Sequence, residues 1–459
     1  MTSVPPPLLT IGMMRNPGDS ETLARYREGG GYTALEKALG SMSPDEVAAE
    51  VKASNLRGRG GAGFSAGVKW DFLAATEPRY LVINGDESEP GTFKDRQLLE
   101  RDPHQLIEGT IISAYALGVH HAFIYIRGEY PKPARRVQRA VEEAYEAGYL
   151  GDNILESGFS LDVIVHLGAG AYICGEETAL LNSLEGRRGE PRIKPPFPAV
   201  EGLYARPTIV NNVETISNVP WIVNRGGLAF AAIGPETSAG TRLLSLSGHV
   251  RKPGNYEIVM GMSWRDLIFD LGGGIPDDRE LKCWIPGGAS APWFVPSEHL
   301  ETLVTIDDVA ANGSMLGSGA VVVMDETTDV VAAAHRIVRF FAHESCGQCT
   351  PCREGTTWLE QVLRRILDGR TGTELVSIVE AEPGGRGIAG TTPALGDVDH
   401  DGSAEVVAVT YEGRIAVIEG DGTIKALSED VVSPFEEGDI CTTFADCPYD
   451  EPRDRYPYD

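Results

Sequence analysis

Three cysteines in the last third of the chain form the sharpest chemical pattern in the sequence. Cys346, Cys349 and Cys352 follow the spacing C-x2-C-x2-C in a chain that contains seven cysteines in all. Thiolates at this spacing are typical ligands of a 4Fe-4S cluster, which takes a fourth ligand from elsewhere. Zinc is the alternative, although zinc sites usually combine two separated C-x2-C pairs. We therefore expect an iron–sulfur cluster at this segment.

A second pattern is the glycine-rich run RGRGGAGF at residues 57–64. It contains G-x-G-x-x-G at Gly58, Gly60 and Gly63. A dinucleotide fingerprint of this kind needs a strand in front of it, whereas residues 45–54 have a helical pattern. Three interpretations remain open: a Rossmann loop, a flexible loop, and a loop whose exposed amides and arginines bind a nucleotide or flavin. We favour the third, because such a run leaves amides and positive charge exposed to an anion.

Polar and small residues follow two predicted strands. The strand at residues 80–83 ends in the acidic run 84–91, and the strand at residues 161–166 leads into the small residues of 168–178. Ligands of α/β proteins bind at the carboxyl ends of strands. The acidic run is therefore either a solvated turn or a set of acceptors for ribose hydroxyls and flavin N–H groups. The second run would let a flat ring approach, and Cys174 within it is typical of a small buried residue.

The wider pattern places these clusters on an α/β scaffold. Apolar runs at residues 80–83, 122–126 and 161–166 alternate with helical patterns, which indicates layered α/β structure. A change near residue 235 introduces a smaller α+β segment. Beyond it, two predicted helices flank the three cysteines.

Length and charge limit the class of protein. The 459 residues suggest about three domains, and a hydrophobic share of 42% is enough for a sizeable core. With 67 acidic and 40 basic residues the net charge is −27, which argues against binding nucleic acid through its phosphates. The first nine residues lack the apolar core of a signal peptide, and no run is long and apolar enough to suggest a membrane span. We expect a cytoplasmic chain.

The end of the chain differs in composition from the rest. Residues 371–459 hold 20 acidic and 5 basic residues. Four of the carboxylates are spaced around a glycine in a pattern typical of calcium binding, with an acidic surface turn as the alternative. They are Asp397, Asp399, Asp401 and Glu405. Residues 390–430 resemble a single FG-GAP or calcium-type propeller repeat.

Taken together, the motifs of the first three quarters resemble a known family. Residues 22–370 are similar to the flavoprotein subunit of respiratory complex I, the 51 kDa or NADH-binding F subunit of NADH-quinone oxidoreductase. The resemblance rests on the runs 55–64, 84–91, 168–180, 194–198, 210–215 and 344–355. Diaphorase subunits of NAD-linked hydrogenases and formate dehydrogenases share these runs and remain an alternative.

The resemblance implies roles for individual residues. Those implied to bind FMN and NADH are Arg57, Gly58, Arg59, Gly60, Gly61, Ala62, Gly63, Phe64, Gly67, Lys69, Asn84, Asp86, Glu87, Glu89, Gly175, Glu176, Glu177, Phe197, Asn211, Asn212 and Thr215. Within this set, Glu176 and Glu177 would be catalytic and lie against the flavin ring and the nicotinamide. Phe197 would stack on the adenine, as an aromatic face can.

The resemblance also implies a fold, a reaction and partners. We expect a Rossmann-like FMN-binding α/β domain, a β-grasp-like α+β domain, a short helical iron–sulfur segment and an acidic β-rich tail, at residues 1–235, 240–325, 326–370 and 371–459. NADH would give a hydride to FMN, and electrons would pass singly through the 4Fe-4S cluster toward quinone. The implied partners are a thioredoxin-like subunit with a two-iron cluster and the peripheral arm of complex I. Only that complex would bring the chain to the inner face of the plasma membrane.

The resemblance ends after the three cysteines. The family continues with a helical bundle that supplies a fourth cysteine, whereas this chain has no cysteine between Cys352 and Cys441. Either Cys441 or Cys447 completes the cluster, or the tail replaces the bundle through truncation and fusion, which we favour. A disulfide between the two late cysteines is a further alternative. An inactive dehydrogenase body that carries a calcium-binding module is the competing function.

Overall fold

The computed structural model describes residues 8–10 and 22–368, together with the backbone of four short strands between residues 394 and 427. Several tail residues with predicted roles lie outside the described residues: Asp397, Asp399, Asp401, Cys441 and Cys447. Glu405 begins one of the short strands, and only its backbone is described. Calcium binding and the propeller-repeat resemblance therefore stay predictions.

The elements follow the alternation that the sequence predicts. The strands are β1 (Tyr80–Gly85), β2 (His121–Ile126), β3 (Asp162–Leu167), β4 (Thr208–Asn212), β5 (Thr241–Gly248), β6 (Gly254–Val259), β7 (Leu281–Ile285), β8 (Ala320–Asp325), β9 (Ala394–Gly396), β10 (Glu405–Val409), β11 (Ile415–Ile418) and β12 (Ile424–Leu427). The α-helices are α1 (Leu23–Glu28), α2 (Thr33–Ser41), α3 (Pro44–Ala53), α4 (Ala66–Asp71), α5 (Asp95–Arg101), α6 (Pro103–Leu117), α7 (Pro131–Glu146), α8 (Glu177–Leu184), α9 (Val213–Ser217), α10 (Val219–Arg225), α11 (Gly227–Ala231), α12 (Pro296–His299), α13 (Ile306–Ala311), α14 (Val330–Glu344), α15 (Thr350–Arg353) and α16 (Gly355–Asp368). Among the described residues, no helix is both long and apolar enough to cross a bilayer.

The chain divides into two compact units. The first comprises Met1–Asp329 and Arg336–Trp358, and the second comprises Val330–His335 and Leu359–Asp459. The first unit contains the sheets built from β1 to β8 and the cysteine segment, residues 344–355, which carries the three cysteines. In the second, β9 to β12 form a four-stranded antiparallel sheet in the order β12-β11-β10-β9.

A four-stranded parallel sheet organises the first part of the chain. Its order is β3-β2-β1-β4, and each neighbouring pair runs parallel. Leu81, Val82 and Ile83 are fully buried in β1, as expected of a strand covered on both faces. The chain leaves β1 toward β2 on one side and returns as β4 on the other, so the topological switch point lies between β1 and β4. The Rossmann-like α/β expectation is confirmed.

Local sequence signals set the helices in front of this sheet. Ser43 caps α3: its hydroxyl accepts from the Glu46 N–H, and the Glu46 carboxylate accepts from the Ser43 N–H at 2.7 Å. This capping box fixes where the helix begins. Because α3 precedes the glycine-rich run, the context of that run is helix–loop–helix, and a standard Rossmann phosphate turn is ruled out.

A second, mixed sheet follows with the order β6-β5-β8-β7. Strand β5 pairs antiparallel with β6 and parallel with β8. The hydrophobic core beside this second sheet contains the buried rings of Trp264, Trp284 and Phe294, whose centroids lie 5.7 to 6.1 Å apart. A π-helix at Asp266–Leu271 packs with this sheet's segment. The α+β expectation for this segment is confirmed.

The loop after β1 packs against the second sheet. The hydroxyls of Thr92 and Ser318 lie 2.5 Å apart, and the Phe93 N–H donates to the Ser245 hydroxyl at 3.1 Å. A Cβ on Gly91, which has a φ of +96°, would lie 3.0 Å from Val322. The second sheet therefore supports the acidic segment that leaves β1.

Candidate cofactor site

A cleft opens where β1 and β4 end, at the switch point of the parallel sheet. Its volume is about 260 Å³, close to the lower end of the range typical of small-molecule sites. The lining residues are Gly60, Asn84, Asp86, Glu87, Ser88, Glu89, Thr92, Lys94, Asp95, Tyr172, Ile173, Gly175, Glu176, Asn212 and Ser318. Ligands of open α/β sheets bind at such a point.

Eight of these lining residues were candidates from the sequence: Gly60, Asn84, Asp86, Glu87, Glu89, Gly175, Glu176 and Asn212. Sequence reasoning missed the others as site residues. Tyr172 and Ile173 lie inside a run that carries the family resemblance, so that run held a usable signal. Lys94, Asp95 and Ser318 follow no motif, and only the folded chain brings them to the cleft.

The glycine-rich loop reaches the cleft because its backbone packs closely on neighbouring elements. A Cβ on Gly60 would lie 2.9 Å from the Cβ of Asn212, and a Cβ on Gly67 would lie 2.5 Å from the Cα of Lys52. Gly63 has a φ of +65°, which favours glycine. Gly60 therefore presents bare backbone to the cleft that it lines, while Gly63 and Gly67 allow the close packing that places it there.

The two arginines of this loop differ from the expectation. Arg57 forms an ion pair with Asp307 at 2.8 Å and donates to the Gly63 carbonyl at 2.6 Å. Arg59 is fully buried and donates to the carbonyls of Ala239 and Thr241 at 2.8 and 2.9 Å. Both guanidinium groups therefore fasten the loop to the rest of the fold, and neither presents an exposed charge to an anion.

Residues of β4 and α9 fix the loop and a neighbouring tryptophan. The Thr215 hydroxyl accepts from the backbone N–H of Arg59 at 2.9 Å, and the side-chain amide oxygen of Asn211 accepts from the Trp70 indole N–H at 3.0 Å. Neither Thr215 nor Asn211 lines the cleft. Their side chains shape its surroundings.

Buried carboxylates form one wall of the cleft. Burial raises the pKa of Asp86 to about 7, with the charge of Arg127 opposing the shift. Its Oδ2 is buried and has no hydrogen-bond partner among the described residues. Burial also raises the pKa of Glu87, whose oxygens accept from the Asp95 and Arg96 N–H groups at 2.6 and 2.9 Å. An unpartnered buried oxygen of this kind suits a ligand that donates a hydrogen bond.

Glu89 is held from two sides. One carboxylate oxygen accepts from the Tyr172 hydroxyl at 2.6 Å, and the other accepts from the N–H and hydroxyl of Ser290, both at 2.7 Å. Ser290 follows β7, so the second sheet orients a carboxylate of the first. Gly288 leaves space for the Glu89 side chain, because a Cβ at position 288 would lie 2.5 Å from the Cγ of Glu89.

Glu176 and Glu177 form a network with two lysines. Lys194 donates to Glu176 at 2.8 Å and lies 3.5 Å from Glu177, while Lys69 donates to Glu177 at 2.7 Å. Although burial opposes ionisation, hydrogen bonds from Lys194 and Thr178 lower the pKa of Glu176. The Glu176 carboxylate therefore stays ionised at neutral pH, and it is suited to accepting hydrogen bonds rather than to giving up a proton.

Three phenylalanines leave their rings unusually open to solvent. Phe64 is 52% exposed, Phe72 59% and Phe197 58%, and the rings of Phe64 and Phe72 lie 6.3 Å apart. Neighbouring exposed apolar rings, such as those of Phe64 and Phe72, often mark a binding surface. Phe72 was not among the sequence candidates, because it lies beyond the glycine-rich motif.

The cysteine segment is joined to the wall of the cleft. The Tyr172 N–H donates to Glu344 at 3.1 Å, and its ring packs edge-on against Phe340 and Phe341. Arg188 donates to the carbonyl of Cys346 at 2.7 Å. The first of the three thiols therefore lies two residues along the chain from a contact with Tyr172.

Cys346 and Cys352 are partly exposed and Cys349 is exposed. In the described part of the chain, no three His, Cys, Asp or Glu side chains converge closely enough to hold a metal ion. The remaining described cysteines, Cys174 and Cys283, are buried elsewhere. Three free thiols on one short segment suit a cluster by their chemistry, and the described residues supply no fourth thiol beside them.

Comparison with known proteins identifies the class. Residues 51–221 match the Nuo51 FMN-binding domain, and residues 332–382 match the NADH-ubiquinone oxidoreductase-F iron-sulfur binding region. The cleft and its unpartnered carboxylate fit such a flavin domain. The chain is thus an NADH dehydrogenase flavoprotein subunit with an FMN site and a 4Fe-4S region.

The relatives define the family. The chain is 56% identical over 384 residues to the NADH-quinone oxidoreductase F 2 subunit of Rhizobium meliloti, and the match covers 83% of this chain and 90% of that protein. It is 57% identical over 354 residues to the F subunit of Streptomyces coelicolor, with 77% and 78% covered. The chain belongs to the family of NADH-quinone oxidoreductase F subunits.

Solved structures agree with this assignment. An NAD+-reducing NiFe-hydrogenase in its H2-reduced state has a TM-score of 0.67 at 36% identity, over 76% of this chain and 58% of that one. The air-oxidized state has the same TM-score at 35% identity, over 79% and 62%. The chain therefore spans less than two thirds of those hydrogenase chains.

We predict that Gly60→Ala weakens FMN binding by about tenfold or more, which is about 1.4 kcal/mol. The new Cβ would lie 2.9 Å from Asn212, so the loop or Asn212 must move away from the cleft. Flavin fluorescence titration of the full-length chain measures the affinity. Gly40→Ala is the matched control, because that position in α2 has no atom within 4 Å of its Cβ. Equal affinity in the Gly60 variant and wild type would contradict the assignment.

We predict that Asp86→Asn flattens the pH dependence of stability of the flavin-free chain. The folded chain keeps a proton on Asp86 up to a pKa of about 7, whereas the unfolded chain loses it near its ordinary value. The folded state therefore binds more protons in this window, and wild-type stability falls as pH rises from about 4 to 7. Urea midpoints at about pH 5 and pH 8 measure the difference between the two proteins.

Asp307→Asn is the control for this experiment. The Arg57 hydrogen bond lowers the pKa of Asp307, so that carboxyl titrates below the window and its removal leaves the slope between about pH 5 and 8 unchanged. A slope in Asp86→Asn as steep as that of wild type would contradict the burial effect.

Proposed function

We propose that this chain is the NADH-oxidising subunit of a complex I-type enzyme and passes electrons from its cleft to the cysteine segment. The observation that supports this most is Tyr172, which lines the cleft and donates its N–H to Glu344, two residues before Cys346. When bound, FMN would supply the conversion of a two-electron donor into one-electron steps. The protein's own contribution is to bind, orient and shield the reacting partners.

Within the cleft, we assign the flavin to the open backbone and the buried acceptors. Gly60 and Gly175 would allow close approach of a ring or phosphate, with the other residues of the loop, 57–67, holding that backbone in place. Asn84 and Asn212 would offer amide groups, and Asp86 an unpartnered oxygen. The hydrogen bond from the Asn84 side chain to the Gly175 carbonyl at 2.9 Å supports a shared role for these two segments.

For the nicotinamide nucleotide, we assign Glu89, Glu176 and Glu177 as orienting acceptors. The Lys194 and Lys69 contacts keep the two neighbouring glutamates in place, and ionised carboxylates accept strong hydrogen bonds from ribose hydroxyls. Hydride transfer from NADH needs no proton from these side chains. Their contribution to the reaction is therefore alignment of the reacting rings.

The adenine end of NADH would bind at the exposed phenylalanines. Phe197 is three residues from Lys194, which belongs to the glutamate network, so the nucleotide could extend from the cleft to this ring. Phe64 and Phe72 offer a second aromatic surface. Burial of these rings by a planar base accounts for their exposure in the chain alone.

As to organisation, we propose the domain limits 1–235, 240–325, 326–370 and 371–459. The partners would be the peripheral arm of the complex and, next to the cysteine segment, a thioredoxin-like subunit with a two-iron cluster. That assembly would bring the chain to the inner face of the plasma membrane.

One observation favours a second candidate, the diaphorase subunit of an NAD-linked hydrogenase. The two hydrogenase structures share the fold at 35% and 36% identity. The complex I relatives are more similar, at 56% and 57% identity, and the chain covers more of their length. We therefore prefer the complex I subunit.

We predict that Phe197→Ala raises the KM for NADH by about tenfold and leaves kcat unchanged. Stacking of a base on an aromatic ring contributes about 1–3 kcal/mol, and the ring does not touch the reacting atoms in this proposal. Steady-state NADH–ferricyanide assays measure both constants. Phe269→Ala, a 37% exposed ring on the second sheet's π-helix, is the control, and an unchanged KM in Phe197→Ala would contradict the adenine assignment.

We predict that the iron–sulfur cluster is labile while flavin chemistry survives its loss. Three thiols lie on the cysteine segment, and no cysteine follows until Cys441. Mild chelation should remove iron without lowering NADH–ferricyanide activity, because that acceptor takes electrons from the flavin. Iron quantitation and low-temperature EPR before and after chelation measure this. A stable, stoichiometric four-iron signal would rule out a missing ligand.

A further inference from the structure

A group of buried charges lies directly behind the cleft. Lys94 is fully buried, and its Nζ lies 2.9 Å from the Asp95 carboxylate and 2.7 Å from that of Glu214. Arg59 and Arg242 are fully buried nearby. We call these five residues the charge cluster. Placing so many ionised groups out of water is costly.

The charge cluster lies next to the cleft. Lys94 and Asp95 themselves line the cleft. The other oxygen of Asp95 accepts from the side-chain amide of Asn212 at 2.7 Å, and Asn212 also lines the cleft beside Gly60. A charge on Lys94 is therefore felt by anything that occupies the cleft, with little water between them to screen it.

Glu214 controls where the charge of Lys94 lies. It stands in α9 with a fully buried side chain, and its second oxygen accepts from the Leu243 N–H of β5 at 2.8 Å. Glu214 thus holds Lys94 in place, and Glu214 is itself held in place by the second sheet through Leu243. Asp95, the other partner of Lys94, is also held by Asn212.

Glu214 is also the counter-ion of the two arginines. In the described part of the chain, the Nε and Nη1 atoms of Arg59 and Arg242 are buried without hydrogen-bond partners. Burial lowers the pKa of Arg59 to about 10, and the charge of Glu214 opposes that shift. The same carboxylate opposes the lowering of the Arg242 pKa. The cluster has three positive and two negative side chains. Loss of the Glu214 charge would therefore raise its net charge from +1 to +2 at the cleft wall.

We propose that Glu214 is a positioning residue that, through Lys94, sets the reduction potential of the flavin in the cleft. This inference rests on the proposed function, which places FMN there. Reduction adds negative charge to a bound ring, and nearby cations stabilise the reduced form whereas anions stabilise the oxidised form. In the wild type, Asp95 and Glu214 offset most of the positive charge of the cluster, which holds the potential between these limits.

The test uses variants that change the cluster charge in opposite directions. Glu214→Gln removes a negative charge and should make the flavin potential more positive. Lys94→Met removes a positive charge and should make it more negative. We expect each shift to correspond to about a tenfold change in the ratio of affinities for reduced and oxidised flavin, which is about 30 mV for a two-electron couple. The double variant should lie between the two single variants.

Spectroelectrochemical titration of the FMN-loaded full-length chain measures the potentials. Glu108→Gln is the matched control: this glutamate is equally buried, in α6, and accepts from the Tyr26 hydroxyl and the Leu35 N–H away from the cleft. Its loss should leave the potential unchanged. Glu214→Asp, which keeps the charge, should restore most of the wild-type value.

The sign of the shifts decides between tuning and a merely structural role. If Glu214→Gln fails to fold, Lys94→Met and Glu214→Asp still test the sign and the rescue. Unchanged potentials, or shifts of the same sign in both single variants, would overturn the inference while the wild type still holds flavin. A wild-type chain without flavin would instead contradict the proposed function.

Discussion

The parallel pairing of β1 with β4 is the constraint on which the rest of the structure depends. It sets Asn84 opposite Asn212 in register and opens the sheet at the point where the chain changes direction. The glycine-rich loop can reach this edge only because Gly60 has no Cβ to meet Asn212. Backbone that approaches this closely, at the carboxyl end of a parallel sheet, makes a site for a flat, phosphate-bearing ligand.

The second sheet completes the site from outside the α/β layer. Ser290 holds one oxygen of Glu89 while Tyr172 holds the other, and the Leu243 N–H holds Glu214. These contacts join residues that lie 29 to 201 positions apart in the sequence. The α+β segment therefore works as a support for carboxylates at the cleft, in addition to being a folded layer of its own.

Much of this architecture could be predicted from the sequence. The buried run of β1, the capping box of α3 and the cysteine spacing are local signals, and the structure has the strands and helices where those signals indicate. The inward turn of Arg57 and Arg59 could not be predicted, because their partners Asp307 and Ala239 come from distant segments. The same holds for Lys94, whose burial against Glu214 follows no motif and is decided by how α9 packs.

The central claim is that the cleft between β1 and β4 seats a flavin that NADH can reduce. Anaerobic absorption spectra of the purified full-length chain test it most directly. The account predicts a yellow protein whose flavin absorption is bleached on addition of NADH and returns when ferricyanide is added. A colourless chain that binds no FMN, or a flavin that stays oxidised with excess NADH, would contradict it.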